Sequence, residues 1–160
     1  MSGLAAVIIA DDLTGALDSA APFAALGLTT VTAVSPEGLA QALATDAQVL
    51  AVNLGTRELG PEEAQARATA AALVLRPFTG PDTLWLKKID SRLKGSVGAE
   101  VVGVASVMRP DRVILCPAIP ELGRIVRQGQ LEGHGIATPI PVTVTLPPDL
   151  ALEVPDATTD

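Results

Sequence analysis

The stretch Leu4-Ala5-Ala6-Val7-Ile8-Ile9-Ala10-Asp11-Asp12-Leu13-Thr14-Gly15 decides how the rest of the chain is read. Its apolar run from Leu4 to Ala10 is too short to span a bilayer and has no basic leader before it, so it is expected to be neither signal peptide nor anchor. An uninterrupted β-branched run also differs from the alternation of a half-wet strand. It reads as a strand buried on both faces, the kind found in parallel α/β sheets. Two adjacent carboxylates end the run, and Thr14 to Leu26, rich in Ala and Leu, then reads as a helix stopped by Gly27.

The pattern repeats along the chain. Strand two is expected at Thr29 to Val34, followed by a helix capped by Ser35, with Pro36 in its first turn, running to about Ala44. Gln48 to Asn53 makes strand three and Pro61 to Leu75 the third helix. Thr83 to Ile89 is strand four, Val97 to Met108 the next helix, and Arg112 to Cys116 strand five. The expected fold is a doubly wound, mostly parallel α/β sheet with helices on both faces. Eight of the 13 prolines lie at or beyond Pro110, and after Cys116 helical periodicity is lost. An irregular Pro-rich C-terminal segment with short strands is expected there. Arg124 to Gln128 and Ile140 to Leu146 are the candidates, added antiparallel at a sheet edge where proline is tolerated, and the last ten residues should fray.

The 160 residues carry a net charge of -7 and one cysteine, Cys116, which excludes an internal disulfide and suits a cytoplasmic location. Cys116 is expected to be buried as a small hydrophobe. Nucleic acid is a poor partner for 11 Lys and Arg against 18 Asp and Glu, with only Phe23, Phe78 and Trp85 available for stacking. No membrane partner is expected. The sequence contains neither a Gly-Lys-Ser/Thr phosphate loop nor GxGxxG, and no spaced Cys/His cluster for zinc. The adjacent Asp11 and Asp12 alternate faces, unlike the spaced aspartates of haloacid dehalogenases. Asn53 and Pro117 stand where a phospho-receiver would need aspartate and lysine.

Ligands of open parallel sheets bind beyond the carboxyl ends of the strands, which puts four junctions in view. Asp11 and Asp12 either cap the following helix or bind hydroxyls, act as a base, or hold a cation. Arg57 either pairs with Glu58 or Glu62 on the surface or captures a carboxylate with its guanidinium fork. Lys88, Asp90, Ser91, Arg92 and Lys94 form either a solvated ion-pair face or an anion site in front of Gly95-Ser96-Val97-Gly98, where a helix begins. Arg124 reaches the same crevice or caps a loop, and His134 between two glycines is expected to be exposed.

Ala10-Asp11-Asp12-Leu13-Thr14-Gly15-Ala16, Lys87-Lys88-Ile89-Asp90-Ser91-Arg92-Leu93-Lys94-Gly95 and Pro117-Ala118-Ile119-Pro120-Glu121-Leu122-Gly123-Arg124, with Thr56-Arg57 between the first two, together resemble the N-terminal domain of the four-carbon acid sugar kinases. Ser96, Leu54-Gly55 and Leu122 depart from that pattern. The resemblance implies an ATP-dependent kinase acting on a terminal hydroxyl of a tetronate or 3-oxo-tetronate. It implies Asp12 as the base, Arg57 and Lys88 on the substrate carboxylate, Asp11 and Asp90 on its hydroxyls, and Ser91, Arg92 and Arg124 as further substrate contacts. ATP and Mg2+ are implied cofactors, with the nucleotide held by a C-terminal domain that nothing in this chain resembles. Residues 1–135 thus read as the sugar-acid-binding domain and 136–160 as a shortened tail, the opening of a missing continuation. The implied partners are a small sugar acid and either a second copy or a separate nucleotide-binding half. Alternatives are a non-catalytic sugar-acid-binding or subunit module and a magnesium-dependent phosphohydrolase.

Overall fold

A computed structural model describes residues 3–144 and 150–159. Strand β1 (Ala6–Ala10) is buried at every position, as its unbroken apolar run requires. It is followed by α1 (Leu13–Ala25), β2 (Thr30–Ala33), a 3-10 turn at Pro36–Gly38 leading into α2 (Leu39–Leu43), β3 (Val49–Asn53), α3 (Pro61–Leu75), β4 (Leu84–Lys88) and α4 (Val97–Met108). The four strands form one parallel sheet in the order β2-β3-β1-β4.

Alternation along the strands divides the core. Ala6, Ile8, Ala10, Val49 and Ala51 pack with Ala16 and Ala20 of α1, while Val7, Ile9, Leu50 and Val52 pack with Ala68, Ala71, Ala72 and Leu75 of α3 and Val104 and Val107 of α4. Small residues bring α3 and α4 close. A methyl group at Gly103 would lie 2.7 Å from the Gln65 carbonyl oxygen and 3.1 Å from Ala68 Cβ.

Right-handed crossovers account for the helix sides: α1 carries the chain outward to β2, and the connections from β2 to β3 and from β3 to β4 run back the other way on the opposite face. One part of the α1 face is therefore left uncovered. Leu84 and Leu86 share a register with Ala6 and Ile8, yet they are 54% and 37% exposed, and Leu13 and Leu17 of α1 are exposed as well.

Beyond α4 the architecture departs from expectation. The fifth strand is only β5 (Arg112–Ile114), and it pairs in parallel with β9 (Ala151–Glu153) rather than joining the four-stranded sheet. Leu115 is the residue turned inward, so the next residue of the extended chain, Cys116, faces outward and is exposed rather than buried. The last residues are not frayed, because Val126 and Ala157 exchange backbone hydrogen bonds of 2.9 and 2.8 Å. The antiparallel strands are not an extension of the parallel sheet's edge either: β6 (Arg124–Arg127), β7 (Gln130–Gly133) and β8 (Ile140–Pro141) make a separate sheet. Strand β7 was not expected. Its turn is Gln128-Gly129, both at positive φ (49° and 71°), which matches the twist of a two-residue hairpin without the usual Asn-Gly or Asp-Gly. Positions 145 and 146 of the expected second strand lie outside the described residues. Leu115, Val126, Leu131 and Val142 are the core of this region, with Ile89, Leu93 and Leu152 packed against them. Among the described residues no helix is long and apolar enough to cross a membrane.

Candidate functional site

The register pairs Ala10 with both Asn53 and Lys88, so the chain leaves three neighbouring strands at one level. Asp11 follows at once, and its carbonyl oxygen accepts hydrogen bonds from the backbone N–H groups of Thr56 (2.9 Å) and Arg57 (3.2 Å). The turn carrying Arg57 is thus laid directly on the end of β1. From there the guanidinium grips the buried Asp11 carboxylate through Nε and, at 3.0 Å, through Nη2. Nη2 also lies 3.1 Å from Asp12 Oδ2, and Nη1 donates to Asp90 Oδ2 at 3.2 Å. Arg57 is not a surface arginine pairing Glu58 or Glu62; it is the hub of three aspartates.

The two carboxylate oxygens of Asp12 have different partners. Its Oδ1 accepts the Gly15 N–H at 2.7 Å and caps α1, while Oδ2 faces Arg57. Glycine is needed at 15, where a Cβ would stand 2.8 Å from Asp12 Oδ1 and 3.2 Å from Lys88 Cγ. It is needed at 95 as well, because φ is +82° there and a Cβ would lie 3.3 Å from the Arg57 carbonyl oxygen and 3.5 Å from Asp11 Oδ2.

Asp90 closes the cluster, and its Oδ1 accepts the N–H of Arg92 at 2.8 Å. Partial burial pushes the Asp90 carboxyl up. The N–H groups of Arg92 and Lys94 and the charges of Arg57 and Arg92 outweigh that and hold its pKa below the ordinary value of 3.8. The hydrogen bond to Asp11 raises the Arg57 pKa against the opposing effect of burial, so the guanidinium stays charged.

The remaining cations surround this acidic knot. Lys88 Nζ donates to the Ile89 carbonyl at 2.7 Å and lies beside Gly15. Arg124 Nη1 donates to Ser91 Oγ at 2.9 Å and its Nε to the His134 carbonyl at 3.2 Å, while the Arg92 side chain lies against Gly135. Ser91, Arg92 and Arg124 are therefore brought together through the His134 loop, and the His134 side chain itself is exposed. Among the described residues, Lys88, Arg92, Lys94 and Arg124 pair with no carboxylate, whereas Arg57 pairs with three.

This distribution bears on the cofactors. Mg2+ binds through carboxylate oxygens in an octahedral shell, but a guanidinium already fills the space between these three carboxylates. The residues present do not fit the ion, and among the described residues no three His, Cys, Asp or Glu side chains are placed to hold one together. A cavity of about 590 Å³ lies at the other end of the sheet, lined by Leu4, Leu43, Thr45 and Phe78. It is remote from every strand end considered above.

A second polar group had not been anticipated. Glu100, buried on α4, accepts a hydrogen bond from Thr56 Oγ1 and lies 2.6 Å from Lys87 Nζ. The available signal was a single acid in the otherwise apolar run Val97-Gly98-Ala99-Glu100-Val101-Val102.

Residues 6–145 match the family described as a sugar-binding N-terminal domain. The chain is 38% identical over 127 residues to a D-threonate kinase of Bordetella bronchiseptica, covering 78% of this chain and 31% of that protein. It is 34% identical over 131 residues to a D-erythronate kinase of Heliobacterium modesticaldum, covering 81% of this chain and 29% of the relative. This chain therefore spans about 30% of the length of these curated relatives. A crystal structure from B. bronchiseptica, described as a domain of unknown function with bound citrate in a domain-swapped dimer, superposes with a TM-score of 0.78. It is 26% identical and covers 98% of this chain and 49% of that one. Two of the three strand-end motifs that carried the resemblance supply the aspartates around Arg57 and the third supplies Arg124, and the chain belongs to the sugar-binding N-terminal domain family of the four-carbon acid sugar kinases.

Proposed function

We propose that this chain is the sugar-acid-binding part of an ATP-dependent kinase for a four-carbon sugar acid, a tetronate or 3-oxo-tetronate. The observation that carries the proposal is the separation of charge at the strand ends: a net-negative knot of Asp11, Asp12, Asp90 and Arg57 beside the unpaired Lys88, Arg92 and Arg124. A polyhydroxy acid has matching ends, its hydroxyls suited to carboxylate acceptors and its carboxylate to unpaired cations. The Asp11 side chain is 3% exposed and held by Arg57, whereas that of Asp12 is 35% exposed. Asp12 is thus the group that takes the proton from the hydroxyl receiving the phosphoryl group, and Asp11 holds Arg57 in place. Arg57, although expected to hold the substrate carboxylate, acts in this scheme as the counter-charge that lets three aspartates share one pocket. Lys88 and Arg124, with Ser91 and Arg92, receive the carboxylate.

The ATP site belongs to a further domain or separate chain, and the uncovered Leu84 and Leu86 face is where that half or a second copy packs. A cytoplasmic location is part of the same proposal. The phosphohydrolase alternative loses its metal site to Arg57. Titration calorimetry with D-threonate and D-erythronate tests the proposal: micromolar to millimolar binding by the folded chain, weakened at least about tenfold by Arg124→Gln or Lys88→Gln, is expected for lost charge-assisted contacts. Absence of binding, or equal binding by both variants, would overturn it.

A further inference from the structure

Asp11, Thr56 and Glu100 are the buried polar or charged residues among those described, and they form one continuous path. The Thr56 N–H bonds to the Asp11 carbonyl oxygen at 2.9 Å, and the Thr56 hydroxyl donates to Glu100. Glu100 then takes Lys87 Nζ at 2.6 Å, and the same ammonium donates to the Lys88 carbonyl oxygen at 2.6 Å. One carboxylate on α4 therefore touches the turn before Arg57 and the end of β4, from which Lys88 and Asp90 extend. The start of α4 reaches the same turn by another route, Ser96 Oγ donating to the Leu59 carbonyl at 3.1 Å.

A buried ion pair is a weak device for stability alone, since apolar residues of similar volume usually serve as well or better. Hydrogen bonds differ from apolar contacts in fixing direction, and direction is what a guanidinium shared among three carboxylates needs. We propose that Glu100, with Lys87 as its counter-ion and Thr56 as its contact, is the positioning residue of this site: it sets the Thr56-Arg57 turn against Asp11 and aligns the end of β4 with it. Glu100 itself meets no ligand. Its effect on ligand binding rests on the function proposed above; its effect on Arg57 does not.

Three variants of the 160-residue chain test this. Thr56→Val removes only the hydroxyl, Thr56→Ser keeps it, and the double variant Lys87→Met/Glu100→Leu replaces the pair with apolar side chains. Thermal unfolding reports the fold, the proton and nitrogen resonances of Arg57 Nε–H report the guanidinium, and calorimetry with D-threonate reports binding. Thr56→Val and the double variant are expected to unfold cooperatively, to lose the slow exchange of Arg57 Nε–H, and to bind at least about tenfold more weakly, as misplaced binding groups do. Thr56→Ser is expected to retain both the resonance and the affinity. A folded double variant with an unchanged Arg57 resonance would overturn the proposal. So would a Thr56→Val variant indistinguishable from Thr56→Ser, and that comparison decides even if the double variant does not fold. If the parent chain binds no sugar acid while the Arg57 resonance still responds to Thr56→Val, the proposed function fails and the positioning role stands.

Discussion

Arg57 gathers more negative charge than it can neutralise, and most of the site's behaviour at the level of single residues follows from that. Its planar fork offers donors in several directions at once, which the point charge of lysine does not. Arg57→Ala would leave three carboxylates facing one another, at a cost of about 3 kcal/mol by the behaviour of broken buried pairs; denaturant unfolding at neutral pH measures it, and the loss should shrink on acidification. Asp90 contributes a pH dependence of its own. Its folded pKa lies below the ordinary 3.8, so its contribution is complete above that value and disappears as pH falls through the lowered one. The fall in Tm between pH 5 and pH 2.5 is therefore expected to be steeper for the parent chain than for Asp90→Asn. The chemistry of these residues was legible in the sequence, since acids and cations stood directly at strand ends. Their pairing was not, because a side chain 46 positions from Asp11 and 33 from Asp90 gives no local sign of which carboxylate it will meet.

Among the elements, α1 shows how one residue serves both helix and site. Asp12 caps α1 through Oδ1 and leaves Oδ2 at the site. Asp12→Ser should keep the cap and nearly full stability, while Asp12→Ala should lose about 1 kcal/mol; both should lose sugar-acid binding, so unfolding and calorimetry separate the two roles. The β6-β7 hairpin offers a second test. Gln128 occupies the left-handed region at φ 49°, where asparagine is tolerated better, so Gln128→Asn is expected to raise stability by about 0.5 kcal/mol in denaturant unfolding. The helices α3 and α4 begin and end where the sequence indicates, at Pro61 and Leu75 and at Val97 and Met108, because capping and composition act within a few residues. β7 was missed because its turn lacks the usual signature, and the pairing of β5 with β9 because its partner lies about 40 residues away.

For the molecule as a whole, what matters is the face the described residues do not cover. Leu13, Leu17, Leu84 and Leu86 are exposed, and β4 is the last strand of its sheet. Edge strands of this kind pair or aggregate unless covered or charged. Concentration-dependent self-association is expected in sedimentation velocity. Leu84→Lys/Leu86→Lys should abolish it while changing the unfolding midpoint little, since both side chains are already wet. The net charge of -7 acts at this scale too, opposing an anionic ligand everywhere except near Lys88, Arg92 and Arg124.

The parallel α/β core and the family follow from local sequence: a buried strand must be apolar throughout, and the motifs that mark the family are short runs whose character changes at once at a strand end. Folding was required to show that Arg57 answers three aspartates, that Glu100 and Lys87 stand behind the site, and that the C-terminal strands pair among themselves. Each of these depends on contacts between distant segments, and only packing selects among the many partners that charge and hydrogen bonding would allow.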